Sequence, residues 1–313
     1  MAQQHASATA DVSLEEYVRP PTRRFDLWRY VKREPVGAIG AALIIIIVFM
    51  VVAAPILFTF DPRAFGTGGA LEGPSWDHFF GTDARGKDIY SRVLYGGRIS
   101  LKIGLASIVV GTIGGTALAL LAGWLGGITD FVLSRIAEII LTFPSLLFVL
   151  TIKASIGDDF PDIPRVLPQG EMVLVVAISV IFIPSVFRIM RGAVLEQRGA
   201  AYIEAARVIG ASDYRIMSRH IAPNLTGLMI IITTSGLPAT ILLESSLSFL
   251  GVGVPVGTPS WGADLSGSAR QFFIRAPWLA IAPGAALSLT VFAFNIFGDS
   301  MRDVLDPRLR GKI

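Results

Sequence analysis

The stretch Ile103-Gly-Leu-Ala-Ser-Ile-Val-Val-Gly-Thr-Ile-Gly-Gly-Thr-Ala-Leu-Ala-Leu-Leu-Ala-Gly-Trp-Leu-Gly-Gly-Ile128 runs for 26 residues without a charge. A helix needs only about 20 apolar residues to cross the hydrocarbon core of a bilayer. Val36–Phe58, Ile221–Leu243 and Ala276–Gly298, each 23 residues long, are uncharged as well. Ile139–Ile152 holds 14 uncharged residues and extends backward through Phe131–Glu138. Within that extension Arg135 and Glu138 stand three apart, a spacing that pairs them on one helix face. Met172–Phe187 holds 16 uncharged residues, and Arg188 and Arg191 follow it as ends that reach the membrane surface along apolar stems. These six segments predict an all-α integral membrane protein with six transmembrane helices.

The composition of the whole chain agrees. Of 313 residues, 52% are hydrophobic and 16% charged, with a mean hydropathy of +0.62. Soluble domains carry about 25% charged residues, so too few are present here to coat a soluble fold of this length. Disorder is excluded for the same reason, because disordered chains are poor in apolar residues. There is no cysteine, which removes disulfides, thiolate metal sites and cysteine nucleophiles. The three histidines, His5, His78 and His220, are far apart. The net charge of +3 and the isoelectric point near 9.3 fit the Lys/Arg excess of cytoplasmic loops better than nucleic-acid binding.

Charge also sets the orientation. With six spans, both termini lie on the same side as 129–138 and 188–220, and that side holds 17 Lys/Arg against 10 on the other. The richer side is expected to be cytoplasmic. The first span is not read as a cleaved signal peptide, since it starts after residue 35 and is too long for one. The expected organisation is a partly disordered cytoplasmic tail over 1–35, a membrane domain over 36–300 and a cytoplasmic tail over 301–313. The membrane domain includes a cytoplasmic segment at 188–223.

Several motifs fail on inspection. Gly81-Thr-Asp-Ala-Arg-Gly86-Lys87-Asp88 approaches a phosphate-binding loop, but Asp88 stands where a Ser or Thr hydroxyl must meet magnesium. Gly251-Val-Gly253-Val-Pro-Val-Gly257 has the wrong spacing for a dinucleotide fingerprint. No catalytic constellation and no metal site is expected, nor any cofactor bound by this chain.

Other features hold. Gly111, Gly115, Ala119, Gly123 and Gly127 place a small residue at every fourth position of the second span, which permits close helix approach. The stripe serves packing within the chain, or else a subunit interface or a moving seam. Glu244, followed by Ser245, Ser246 and Ser248, lies near the outer end of the fifth span, and Asn295 near the inner end of the sixth. An ionisable group at membrane depth is expensive. Glu244, Ser245, Ser248 and Asn295 are therefore candidates for a solute pathway, with a structural hydrogen bond as the alternative for Glu244. Pro144, Pro184, Pro238 and Pro283 are expected to kink spans or lie near helix ends.

The segment Glu204-Ala-Ala-Arg-Val-Ile-Gly210-Ala-Ser-Asp-Tyr-Arg-Ile-Met-Ser-Arg-His220-Ile-Ala-Pro223 reads as two short helices with a break. Gly210 suits a left-handed C-terminal cap. Ser212 suits an N-cap, with Asp213 complementing the dipole in the first turn. Pro223 is expected to close the second helix before the fifth span. Ala205 and Ala206 leave room for close contact with a docked surface.

This segment resembles the signature of ABC importer permeases: Glu-Ala-Ala, three residues, Gly, and a hydrophobic-x-Pro ending. Glu204, Ala205, Ala206 and Gly210 match its core, Ala211 and Ser212 follow it, and His220, Ile221 and Pro223 match its end. Phe80–Leu101, Leu247–Gly253, Trp261-Gly262 and Gly298–Arg308 are similar to the second permease of the dipeptide, oligopeptide and nickel branch. The resemblance runs from about Arg24 to the C-terminus, with Lys87, Glu138 and Ala222 as its departures.

The resemblance implies the type I ABC importer permease fold and a role as half of a translocation pathway in the bacterial or archaeal inner membrane. It implies a heterodimer with a second permease, two cytoplasmic ATPases that bind ATP and Mg, and an extracytoplasmic substrate-binding protein. No nucleic acid enters the scheme. In the family the 204–223 segment is the coupling helix that inserts into the ATPase. On residues alone, a gradient-driven secondary transporter is the competing class; it would show mid-membrane coupling groups and an inverted repeat.

Overall fold

The computed structural model describes residues 34–157 and 169–305, and every regular element among them is helical. The chain divides into two units, Met1–Pro35 and Val36–Ile313. Apart from residues 34 and 35, the first unit lies outside the described residues, and so does the C-terminal stretch after 305.

The helices are α1 (Pro35–Val52), α2 (Ala54–Leu57), α3 (Ile89–Leu125), α4 (Gly127–Thr142), α5 (Ser145–Ile156) and α6 (Gln169–Arg198). They continue with α7 (Ala201–Val208), α8 (Asp213–Ile216), α9 (Ala222–Phe249), α10 (Trp261–Leu265), α11 (Gly267–Gln271) and α12 (Trp278–Leu305). A π-helical turn, Met217–Ile221, joins α8 to α9. Five helical stretches are long and apolar enough to cross a membrane, and α4 with α5 makes a sixth if the pair counts as one span.

Four elements differ from the hydropathy reading. The first span is interrupted at Ala53, so α1 is 18 residues long and α2 is a separate turn with Pro55 near its start. The second begins at Ile89 rather than Ile103, where Asp88 caps it by accepting from the Ser91 N–H at 2.8 Å. At about 1.5 Å per residue, the 37 residues of α3 reach past a hydrocarbon core about 30 Å thick. The third span is bent by 101° between α4 and α5. The break falls at Phe143 and Pro144: proline excludes the residue before it from helical geometry, and Phe143 is extended. The sixth helix runs on through Leu305, beyond the expected domain edge at 300. Pro184, Pro238 and Pro283 all lie inside helices.

Packing centres on α3, which lies along α6. A Cβ built on Gly111 would sit 3.0 Å from Phe182 Cβ, one on Gly115 2.7 Å from Val186 Cβ, and one on Gly123 2.6 Å from Val194 Cγ1. Ala119 is fully buried in the same seam. Gly127 does not belong to it: α3 ends at Leu125, capped by Gly126 with φ +67°, and a Cβ on Gly127 meets nothing within 4 Å. Hydroxyls tie the helices together. Ser179 donates to the Ser107 carbonyl at 3.1 Å, and Thr240 to the Gly104 carbonyl at 3.0 Å.

The loops 59–88 and 252–275 gather at one end of the bundle. Trp261, fully buried, donates its indole N–H to the Val93 carbonyl at 3.0 Å, and Arg92 pairs with Asp264, whose side chain is nearly covered, and donates to the Pro62 carbonyl at 3.1 Å. Burial pushes the Asp264 carboxyl upward, against the pull of Arg92. Lys153 donates to the Val252 and Gly253 carbonyls, and Lys102 pairs with Glu171 at 2.5 Å. The Gly81–Asp88 loop belongs to this end and is no phosphate cradle. Its amides are spent internally, since Asp83 Oδ1 accepts from the Arg85 and Lys87 N–H groups at 2.7 and 2.9 Å.

Candidate functional site

The segment between α6 and α9 is built as two short helices around a glycine. Gly210 has φ +82°. The Ala211 N–H donates to the Ala206 carbonyl and the Gly210 N–H to the Arg207 carbonyl, both at 3.0 Å. These two bonds form the Schellman closure of α7, which requires a left-handed residue where Gly210 stands. Ser212 caps α8 by accepting from the Arg215 N–H at 3.4 Å.

The segment has two faces. Ile203, Ala206, Ile216 and Ile221 are buried in one core with Trp124, Val194 and Leu225, from the ends of α3 and α6 and the start of α9. The other face is open. Glu204, Ala205 and Gly210 are exposed, and Val208, Ile209 and Tyr214 are 87%, 84% and 77% exposed. Ala206 therefore packs inside this chain, and only Ala205 of the alanine pair faces outward. The amphipathic pattern of α7 did not single out Val208 and Ile209. Their signal was two branched apolar residues just before a helix-ending glycine, where a solvated loop has no use for them.

Pro223 does not close a helix. The path from Asp213 to Phe249 is continuous, and Pro223 sits in the first turn of α9. Proline lacks an N–H and its ring clashes with the carbonyl four residues back. The π-helical turn just before it shifts the register, with the Ala222 N–H donating to the Met217 carbonyl. His220 lies in that turn, half-buried. Such turns recur at functional sites.

The candidate pathway residues fall into two environments. Glu244 is fully buried on α9, accepting from the Ser248 hydroxyl at 2.7 Å and the Ser245 hydroxyl at 3.3 Å. Asn295 is exposed on α12. In this conformation the Glu244 carboxyl is buried and hydrogen-bonded to two serines of its own helix. A separate, largely apolar cleft of about 400 Å³ lies between α3 and α9, lined by Val109, Thr112, Ile113, Thr226, Met229, Ile230, Thr233 and Thr234. The Thr233 hydroxyl donates to Thr112 across it at 3.2 Å. Hydropathy concealed this cleft because threonine barely lowers the score of a span.

The chain can be compared with known proteins on this basis. A family described as the binding-protein-dependent transport system inner membrane component matches residues 115–311. The chain is 37% identical over 304 residues to the glutathione transport system permease protein GsiD of Pectobacterium atrosepticum, covering 97% of this chain and 96% of that protein. It is 35% identical over 285 residues to the dipeptide transport system permease protein DppC of Alkalihalophilus pseudofirmus, covering 91% and 90%. A putative peptide transport system permease protein of Brucella suis is 36% identical over 272 residues, covering 87% and 88%.

Proposed function

We infer function from one premise: the chain belongs to the family of binding-protein-dependent transport system inner membrane components. It is the permease subunit of an ABC importer rather than a gradient-driven transporter, and it is not itself an enzyme.

The finer assignments are our own. The Ala201–Arg215 segment is the surface that receives a cytoplasmic ATPase, with Glu204, Ala205 and Gly210 at its edge and Val208, Ile209 and Tyr214 as its contacts. ATP and Mg²⁺ are bound by that ATPase and not by this chain. One observation carries the reading: the apolar tip at Val208 and Ile209 projects outward while Ile203 and Ala206 anchor the same helix in the core. Exposed apolar groups beside charged ones mark a contact surface, and a helix rooted on one face transmits force instead of folding away. A second permease closes the cleft between α3 and α9, which is half of the solute pathway. An extracytoplasmic binding protein delivers the solute to the loops at the far end. Relatives named for glutathione, dipeptide and peptide transport support a peptide-class solute.

The absence of cysteine makes a direct test clean. Ile209→Cys, carried in the complex purified from its native membrane through a tag on this chain, is treated with a thiol-to-amine cross-linker. The expected product is an adduct with a nucleotide-binding subunit. Recovery of the chain only as a homo-oligomer, without such an adduct, overturns the docking assignment.

A further inference from the structure

Three helices converge on one indole at the end of α3 nearest the docking segment. Trp124, the second-to-last residue of α3, is buried. The guanidinium carbon of Arg207, on α7, lies 4.9 Å from the centre of its ring, and that of Arg198, in the last turn of α6, lies 5.8 Å away. Arg198 also donates to the carbonyl of Gly123, one residue before Trp124, at 3.0 Å. Gly123 in turn packs directly on Val194 of α6. Arg207 is an exposed residue of α7, yet its guanidinium reaches the buried aromatic ring.

This geometry suits the transfer of movement. A guanidinium is planar and always charged, so it holds its place over a ring face where an ammonium would stay hydrated. Ile203 and Ala206 of α7 share one apolar core with Trp124 of α3, and such packing is less directional than a guanidinium seated over a ring. From Trp124, α3 runs without a break past Val109 and Thr112 in the cleft wall. A stiff helix fixed at one end carries a displacement to its middle, whereas the bent α4–α5 pair absorbs one.

We propose that Arg207 and Trp124 are the positioning pair that couples displacement of the docking segment to α3, with Arg198 holding the indole in register with α6. The proposal rests on the ATPase-docking reading given above, and it predicts that the pair governs movement of the cleft and not attachment of the ATPase.

The test uses the native complex and two separate single-cysteine backgrounds. Val109→Cys, on the cleft face of α3, reports movement through its rate of maleimide labelling with and without ATP plus vanadate. Ile209→Cys reports docking through its cross-link. Trp124→Leu is expected to keep the cross-link and to reduce the nucleotide-dependent change in labelling by about fivefold or more, the lower end of ordinary coupling factors. Trp124→Phe, which keeps a ring face, restores most of that change. Arg207→Gln gives the same loss of labelling change and serves if Trp124→Leu fails to assemble. An unaltered labelling change in Arg207→Gln or Trp124→Leu overturns the proposal and leaves the docking reading intact. Loss of the Ile209→Cys cross-link in the otherwise unsubstituted chain removes the docking reading, and this proposal with it.

Discussion

Gly210 shows how much a single backbone angle can carry. Its φ of +82° is left-handed, and no atom beyond its chain neighbours lies within 4 Å of where a Cβ would project. A substitution there therefore acts through backbone strain alone. Left-handed geometry costs an ordinary L-residue about 1–2 kcal/mol, and a β-branched side chain more. Gly210→Val is expected to leave the complex assembled but to abolish solute-stimulated ATP hydrolysis, because α7 and α8 no longer hold their angle. Gly210→Asn is expected to retain most of it, since asparagine tolerates this region. Normal stimulation in Gly210→Val would show that the cap geometry is irrelevant to coupling. The glycine was legible in the sequence because helix caps are local. Arg92 and Asp264 were not, because their partnership spans 172 residues.

That pair also makes an asymmetric prediction. Removing one partner of a buried ion pair costs about 3–5 kcal/mol when the other stays charged. A carboxyl already pushed upward by burial escapes the penalty by taking up a proton, but arginine cannot lose one. Asp264→Leu is therefore expected to lower the unfolding temperature of the complex more than Arg92→Leu. The sign of the pH effect follows. In Arg92→Leu the folded state keeps the Asp264 proton to higher pH than the unfolded state does. The associated stability is thus present at low pH and is lost as pH rises through the folded value. Thermal unfolding at pH 5 and pH 8 checks this, with Asp264→Leu expected to lack the slope.

Among the helices, the close approach of α3 to α6 is the feature that the rest depends on. Membrane helices gain little from the hydrophobic effect against lipid, so contact must come from near backbones and shared hydrogen bonds. A methyl group on Gly115 would stand 2.8 Å from the Ile183 carbonyl, a backbone atom that cannot move aside. Gly115→Ala is expected to cost about 1–3 kcal/mol through overpacking, read as a lower unfolding temperature in mild detergent; an unchanged temperature would show that the seam is loose. The small-residue spacing was visible in the sequence, but its partner was not. Where helices start and stop was the harder part. Arg92, Arg98 and Lys102 hid about the first four turns of α3 from a hydropathy reading. Each has a partner that the reading cannot see: Asp264 for Arg92, the Tyr95 ring for Arg98, and Glu171 for Lys102. Pro144 announced the break in the third span, but the 101° angle across it was not legible, because a local pattern does not fix the direction in which the chain resumes.

For the molecule as a whole, the outstanding choice is which end faces the cytoplasm. In the six-span reading of the sequence, the side assigned to the docking segment and both termini counts 17 of the 27 Lys/Arg, and the other side 10. The minority charges are not idle. Arg92 and Lys102 have carboxylate partners, Lys153 donates to two carbonyls, and the Lys87 ammonium lies 4.1 Å from the Phe65 ring centre. They stand where folding needs them, which explains why a positive residue persists on that side at all. Insertion is decided before those partners meet, however, and at that stage the larger count prevails. Both termini and the Ala201–Arg215 segment are thus expected in the cytoplasm, where ATP is. A fluorescent protein that matures only in the cytoplasm is expected to light up when fused at either terminus. A phosphatase active only outside is expected to work when inserted at the exposed Gly257 turn. The reverse pattern would place the docking segment outside, out of reach of any ATPase, and would end the coupling assignment.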